Sequence, residues 1–529
     1  MEFNHADLFE GVADAVGDRV ALVCGDRRLT YAELDAEANR LAHHLESVGV
    51  EPGRHVAMQM YNCVEYAIAL LATLKIRAVP INVNYRYVKS ELLYLYRDSD
   101  SVALLYDAEF DERVAETVPE VPGLRHYIVV GGESSIPGAV TYEEALAGQP
   151  DTRGFGPRSE DDTYIIYTGG TTGMPKGVMW TLKNLLFGFW NPALPRPGVP
   201  QDVVDNARDS GPLVMMAAAP LMHGAAQLGT WIGWFIGATL VYVRRFDAAE
   251  VWRAVEREKV NSMTITGDAM AIPMVEELER GGSYDLSSLI TLASTGAILT
   301  GTVRDRLAAA LPNVIIMDRF GSTESGSTAE AVAGSTPEKG LRFAPDVEDV
   351  AVLDDALQPV KPGSGVIGQV ARTGYIASGY YNDPEKTAKT FPVAADGVRW
   401  LLTGDIATVD EDGSIAVYGR GSQAINTGGE KVFPEEVEAV LKGHPSVFDA
   451  VVTGIPDERF GHRVAAVVQP HGDIPSTEDL DAHCREHLSG YKVPRSYAFV
   501  EEMQRSPAGK ADYRWAKRVA QEAASSTGR

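Results

Sequence analysis

The stretch from Tyr164 to Gly177, YIIYTGGTTGMPKG, constrains this chain more than any other: an apolar run with strand character passes into glycines and threonines and ends on a lysine. The fold around it must therefore be one in which a strand delivers an open loop. Gly169, Gly170 and Gly173 let the backbone approach a ligand closely and take positive φ, while Thr168, Thr171 and Thr172 add hydroxyl donors. Lys176 adds a mobile positive charge. Bulk repels phosphate oxygens, so small residues at this spacing point to a phosphate loop. It is not the Walker pattern, because Met174-Pro175 stands before Lys176 and a glycine follows it. The bland alternative is a flexible loop with no ligand, against which the strand in front and the lysine behind both weigh.

Helical and strand patterns alternate around this segment. Leu34 to Val48 has helical apolar spacing, His55 to Met60 reads as a strand and Glu65 to Leu74 as a helix. Buried-strand candidates recur at Thr163 to Tyr167, Val214 to Ala218, Thr239 to Val243, Ser262 to Thr266, Leu289 to Ala293 and Val314 to Met317. This is the grammar of an α/β fold. After about Ala344 short strands and Asp-Gly turns take over, which predicts a β-rich subdomain over about 345–420. Past Gly419-Arg420-Gly421, PEEVEAVL opens like a helix with proline and acids in its first turn. A boundary there gives an N-terminal domain over 1–420 and a compact α+β module over 421–529. At 529 residues, two to four folded units are expected.

Composition narrows the function classes. The formal charge is −25, from 48 Lys+Arg against 73 Asp+Glu, which repels a phosphate backbone and argues against nucleic acid as a partner. Cys24, Cys63 and Cys484 are too scattered for a disulfide framework or a metal cluster and fit a reducing compartment. The first residues lack the basic and apolar regions of an export signal. The most apolar stretch, Thr230 to Val243, is shorter than the ~20 residues that cross a bilayer, so it reads as buried core with no transmembrane segment. A cytoplasmic protein is expected.

Further motifs follow the phosphate loop in order: Pro220 to Gly224 (PLMHG), Ser294 to Ala297 (STGA), Asp318 to Glu324 (DRFGSTE), Trp400 to Ile406 (WLLTGDI), Arg420 in YGRGSQAINTGGEKVFPEEVE, and Ser506 to Lys510 (SPAGK). Each alone has an ordinary explanation. His223 at a strand end is more often a packed or surface residue, Glu324 a surface acid, Arg420 a solvated hinge residue and Lys510 a solvent-facing lysine. Their order is what carries weight. The series, from LTYAELDAEANRLAHHL (Leu29 to Leu45) to SPAGK, resembles the adenylate-forming superfamily of acyl-CoA synthetases, peptide-synthetase adenylation domains and luciferases.

That resemblance implies a large N-terminal domain followed by a small mobile one, and ATP, Mg²⁺ and CoA as cofactors. It implies that the Thr168 to Gly173 loop and Lys176 hold the triphosphate, and that His223 with Gly224 gates the carboxylate. Ser294, Thr295, Gly296 and Ala297 would form the small-residue turn between adenine and an acyl tunnel, with Gly267 and Ala269 beside the acid. Thr295 departs from the more usual glycine. Asp318, Arg319, Phe320 and Gly321 match the adenine-packing motif; Phe320 replaces the commoner tyrosine, which keeps the stacking face and loses a hydroxyl. Thr323 would reach phosphate, and Glu324 would ligate Mg²⁺ as a hard carboxylate donor. Asp405 would accept from the ribose hydroxyls, Arg420 would grip the nucleotide near the hinge, and Lys510 would neutralise charge between carboxylate and α-phosphate. After rotation the loop around Gly428 and Gly429 would line a pantetheine tunnel. The hinge is atypical, with Gln423 where many relatives carry Asp or Lys.

The wording TGDAMA, YDLSSL and RSPAGKADYRWAK is more similar to ligases for steroid side chains and bulky lipid acids than to medium-chain or aryl ligases. Small residues at Ala225, Ala226 and Gly229 leave room for a wide apolar acid, with Trp231 and Trp234 as walls; plain helix packing is the rival explanation. A polycyclic terpenoid or steroid carboxylate is expected first and a long-chain fatty acid second. Expected partners are the acid, ATP and CoA, with a homodimer allowed as the assembly. The rival readings are an adenylation-only enzyme that hands its acyl-adenylate on, a non-catalytic nucleotide-binding regulator, and a peptide-synthetase adenylation module. Retention of Lys510 opposes the regulator, and the short tail after it opposes the module.

Overall fold

A computed structural model of the chain describes all residues except 169–173, 191–193, 298, 332–340, 346–348, 428–429, 458–460, 506–510 and 528–529. It also leaves out the side chains of 320, 327, 329–331, 341–342, 345, 420, 422, 426, 430–431, 461 and 525–527.

Among the described residues, strands form four sheets. In the largest, Val20–Cys24, Thr239–Tyr242, Val214–Ala217, Ser262–Ile265, Thr291–Thr295 and Ile315–Ser322 lie side by side in parallel. Their near-continuous apolar character is what a parallel sheet covered on both faces requires. The same sheet then continues antiparallel through Gly326–Ala331, Leu341–Pro345, Ile415–Arg420, Leu401–Val409, Gly368–Arg372 and Val350–Leu353. The last four of these strands lie within 345–420. A second parallel sheet holds Val79–Asn82, His55–Gln59, Ser101–Asp107 and His126–Val130. A small antiparallel sheet pairs Thr163–Thr168 with Lys176–Thr181 and Gly379–Tyr380.

Helices join these layers where capping and periodicity dictate. Tyr31–Ser47 begins at a reciprocal Thr30/Glu33 capping box. Pro434–Lys442 starts with proline in its first turn and Glu436 accepting the Phe433 N–H at 3.1 Å. Deep in the core, fully buried Lys75 on the helix Val64–Lys75 meets Glu10 at 2.6 Å and Asp35 at 2.7 Å. The cost of desolvating that ammonium is offset only because both carboxylates reach it.

The apolar stretch Thr230 to Val243 is the end of the helix Gly224–Phe235, a turn at Gly237 with φ of +71°, and the strand Thr239–Tyr242. No helix among the described residues is long and apolar enough to cross a membrane. Two strand expectations shift. Pairing begins at Thr291, not Leu289: the Leu289 amide closes a turn onto the Leu286 carbonyl, and the Ile290 and Thr291 amides both go to the carbonyl of Asn261, just before the neighbouring strand. The last parallel strand runs on past Met317 to Ser322, since Asp318 and Arg319 still find Ser294 and Thr295 opposite them.

Beyond Arg420, the turn Gly421–Gln423 leads into a separate sheet of Glu430–Val432, Ile425–Thr427, Gly461–Pro470 and Val447–Asp457, with Tyr497–Phe499 added in parallel. Its core, which includes Val437, Leu441, Val452, Val464 and Leu480, is distinct from the N-terminal clusters.

Candidate active site

Ligands of open α/β sheets bind beyond the carboxyl ends of the strands. The candidate motifs lie there. The strand Val214–Ala217 leads to His223, Ser262–Ile265 to Gly267, Thr291–Thr295 to Gly296 and Ile315–Ser322 to Thr323 and Glu324. Two of these motifs are locked in register, Ser294 opposite Asp318 and Thr295 opposite Arg319.

Thr168, the last residue of its strand, pairs with Lys176 across the small sheet; Gly169, Gly170, Thr171, Thr172 and Gly173 between them lie outside the described residues. Buried Asn82 fixes the approach to that loop. Its side-chain oxygen accepts the Tyr167 N–H at 2.7 Å, and its amide donates to the Tyr167 carbonyl at 2.8 Å and the Met222 carbonyl at 2.7 Å. One side chain therefore ties the phosphate-loop strand to the residue before His223. Asn62 does the same one step earlier, accepting from Leu221 N–H at 2.7 Å and donating to the Ala219 carbonyl at 3.2 Å.

His223 is the N-cap of the helix Gly224–Phe235 and has extended backbone angles. A Cβ on Gly224 would stand 3.3 Å from Ile166 and 3.7 Å from the Thr323 hydroxyl, so the strand before the phosphate loop, the histidine turn and the Thr323 motif meet at one point. Thr323 and Glu324 are themselves pinned. Trp180 Nε1 donates to the Thr323 carbonyl at 2.9 Å, and the Tyr380 hydroxyl donates to Glu324 Oε1 at 2.9 Å. The next residues are held by buried Arg372, which donates to the carbonyls of Ser325 and, at 3.1 Å, Gly188. Gly326 has a φ of +72°, and a Cβ there would sit 2.1 Å from the Gly188 carbonyl oxygen, so the chain can pass only as glycine.

After the strand Ser262–Ile265, Gly267 has a φ of +54° and its N–H donates to buried Ser294 at 3.1 Å. Gly296 has a φ of +78° and is exposed, Ala297 is half-buried and Ala269 is exposed. Burial, with a contribution from Asp268, raises the Asp318 carboxyl to about 7. Asp268 is likewise raised by burial, while Lys442 of the C-terminal unit pulls it back down. Asp405 is buried at 7% exposure and stands directly opposite Arg420 in the pairing of Leu401–Val409 with Ile415–Arg420. Gly321 continues the Thr323 strand, but the side chains of Phe320 and Arg420, and all of Gly428, Gly429 and Lys510, lie outside the described residues.

Lys176 faces Asp383 at 3.1 Å. The helix Gly224–Phe235 separates the two roles expected of its residues. Trp231 and Trp234 pack edge-on at 5.3 Å with His5, Phe9 and Phe235 around them, on the buried side. They are core residues and not tunnel walls, because that face meets the first helix, His5–Val16. Ala225, Gly229 and Ile232 lie on the partly exposed face, and a Cβ on Gly229 would meet nothing within 4 Å.

Thr168 and Lys176, a histidine turn, a pinned Thr-Glu pair and buried Asp405 follow one another in the order of an adenylate-forming enzyme. The chain belongs to the AMP-binding enzyme family: that family's model matches residues 9–381, and the AMP-binding enzyme C-terminal domain matches 436–510. It is 48% identical over 528 residues, 98% of this chain and 96% of the other, to a "Medium/long-chain-fatty-acid--CoA/3-oxocholest-4-en-26-oate--CoA ligase" of Mycobacterium tuberculosis (strain ATCC 25618 / H37Rv). It is 45% identical over 542 residues to the "3-oxocholest-4-en-26-oate--CoA ligase" of Rhodococcus rhodochrous, covering 98% of this chain and 96% of that one. Among solved structures, the anthranilate CoA ligase AuaEII in complex with anthranoyl-AMP superposes with a TM-score of 0.84 at 26% identity, over 99% of this chain and 98% of that one.

Asn62, Asn82, Trp180, Arg372 and Tyr380 escaped the sequence reading. The available signal was slight: a lone polar residue inside an apolar run, as in VPIN and MYNCV.

Proposed function

We propose that this chain is an AMP-forming acyl-CoA ligase for bulky or long-chain hydrophobic carboxylic acids. The observation that carries the reading is the convergence of the Tyr167 and Met222 backbones on Asn82, and of the Ile166 and Thr323 side chains on Gly224, in a chain about half identical to ligases of that name. A carboxylate oxygen attacks the α-phosphorus of ATP, the bond to the bridging oxygen breaks, and pyrophosphate leaves. The CoA thiol then gives up its proton and its sulfur attacks the acyl carbon, releasing AMP.

In this reading the chain works by placement and charge. The Thr168 to Gly173 loop and Lys176 hold the β- and γ-phosphates, His223 and Gly224 border the carboxylate, and Thr323 contacts phosphate. Gly296 and Ala297 with Asp318, Arg319, Phe320 and Gly321 bed the adenine, and Asp405 and Arg420 hold ribose and phosphate. Lys510 closes over the α-phosphate, carried by a C-terminal domain over 421–529 that turns about Gln423 to bring Gly428 and Gly429 to the CoA channel. Glu324 fits Mg²⁺, since its carboxylate is half-buried and oriented by the Tyr380 hydroxyl; the ion would neutralise phosphate charge.

The acid lies along the partly exposed face of Gly224–Phe235, where a Cβ on Gly229 would meet nothing within 4 Å, with Gly267, Ala269, Ser294 and Thr295 as its further proposed contacts. The relatives' names place medium- and long-chain fatty acids with the steroid acid, so the acid range is broad in chain length as well as width. A cytoplasmic setting belongs to the same reading, supported by the three free cysteines. The test is incubation with ATP, Mg²⁺, CoA and a panel of acids. Thioester and AMP are expected from 3-oxocholest-4-en-26-oate and long-chain fatty acids. Pyrophosphate without thioester would reduce the protein to adenylation only, and faster turnover of benzoate or acetate would overturn the acid assignment.

A further inference from the structure

On the C-terminal unit, the helix Thr477–His487 ends with His483, Glu486 and His487. These positions are related by one helical turn, so their side chains share a face. One donor atom from each lies within 4.8 Å of the other two. The His483 and His487 rings stand 4.9 Å apart at 72° to one another.

The orientation of His483 is imposed from outside the group. Its Nε2 lies 2.9 Å from the Val440 carbonyl oxygen, an acceptor only, so Nε2 carries the proton and Nδ1 keeps its lone pair. A ring nitrogen held this way by a carbonyl is the arrangement that orients metal-binding histidines. The His444 ring, edge-on at 5.2 Å, blocks the other side of His483. Arg485, the one cation inside the motif, is turned back to Asp481 at 3.3 Å. The cluster also sits at a helix C-terminus, where the backbone dipole favours positive charge.

We propose that His483, Glu486 and His487 form a binding site for a divalent transition metal of the zinc class. Tetrahedral zinc with bonds of about 2.0–2.1 Å sets donors roughly 3.3 Å apart, a contraction that side-chain rotation on one helix face supplies. Two imidazoles and one carboxylate with an open fourth position select zinc, cobalt, nickel or copper over Mg²⁺ and Ca²⁺. The site is therefore chemically separate from the one proposed at Glu324. Bound metal would tie the end of Thr477–His487, through His483, to the carbonyl end of Pro434–Lys442.

The experiment uses the full chain without a histidine tag, stripped with EDTA and titrated with ZnCl₂ against a chromophoric chelator. One equivalent should bind with a dissociation constant at or below about 10 μM, and Co²⁺ in its place should show the intense visible absorption of four-coordination. His487→Ala and Glu486→Gln should each weaken binding about tenfold or more. His483→Gln keeps a donor for the Val440 carbonyl, so it should keep the fold, checked by circular dichroism, and lose the metal. Zinc binding by His483→Gln/His487→Ala equal to that of the unmodified chain, or no saturable binding by the unmodified chain at about 100 μM zinc, would overturn the proposal.

Discussion

The two halves of the candidate site are held by different forces. On the N-terminal side, the loops at the strand ends are fixed by short hydrogen bonds from buried side chains to backbone: Asn62, Asn82, Trp180 and Arg372. On the side of the C-terminal unit, the described contacts run through charges and aromatic rings, with Tyr418 stacked on Phe433 at 5.7 Å among them. Lys442 stands near Asp268, His471 lies 4.0 Å from Glu276, and Phe448 leans on the N-terminal core. Buried directional bonds hold a backbone to a fraction of an ångström, which electrostatic catalysis needs. Charges across a wet interface are weaker and tolerate sliding. The difference is what one expects if one half is a fixed bed and the other moves over it.

The strongest way to break that comparison is to remove the charge assigned to the moving half. Lys510→Ala should lower ATP–pyrophosphate exchange by about 10²- to 10³-fold while ATP binding stays nearly intact. Exchange at the unmodified rate would mean that the C-terminal unit takes no part in the first step. Next in size is Asn82→Ala, which strips partners from the Tyr167 N–H and two buried carbonyls. A loss of about 2–3 kcal/mol in denaturant unfolding is expected, together with slower exchange. A stability change near zero would show that the bed is not fixed through Asn82.

The smallest effect is pH-dependent. With Asp318 at about 7 in the folded chain, its ionised form is penalised at pH 8, and protonation as pH falls toward 4 relieves the penalty. Unlike the usual carboxylate, this one makes the ligand-free protein more stable as pH drops through 7. Asp318→Asn should raise stability at pH 8 by about 1–2 kcal/mol, below the roughly 4 kcal/mol of the full shift because the side chain is partly exposed, and leave it unchanged near pH 4. Equal gains at both pH values, measured by thermal melts, would place the effect elsewhere.

Short local runs name candidates by residue type and order: the glycines and threonines of 168–173, of which 169–173 lie outside the described residues, the Thr323–Glu324 pair and Asp405. The framework beneath them could not be read that way. Asn82 reaches partners 85 and 140 residues away, and Arg372 reaches Gly188 across 184. No local pattern encodes an obligation of that range; only the fold brings the partners within reach. The tunnel walls failed for a similar reason. Trp231 and Trp234 look like pocket aromatics in sequence, but helix geometry turns them away from Gly229 toward His5 and Phe9. Strand ends slipped by two residues at Thr291, where a turn onto Leu286 claimed the Leu289 amide that apolar character had assigned to pairing.

The hold of Asp383 on Lys176 has a consequence for selectivity among anions, if Lys176 binds phosphate as proposed. An incoming phosphate would then have to outcompete a carboxylate already in place, and Asp383 does not let go easily, because its other oxygen caps the helix Pro384–Thr390 by accepting the Lys386 N–H at 3.0 Å. A lone inorganic phosphate has nothing to offer beyond that exchange. A nucleotide, anchored at several other points at once, does.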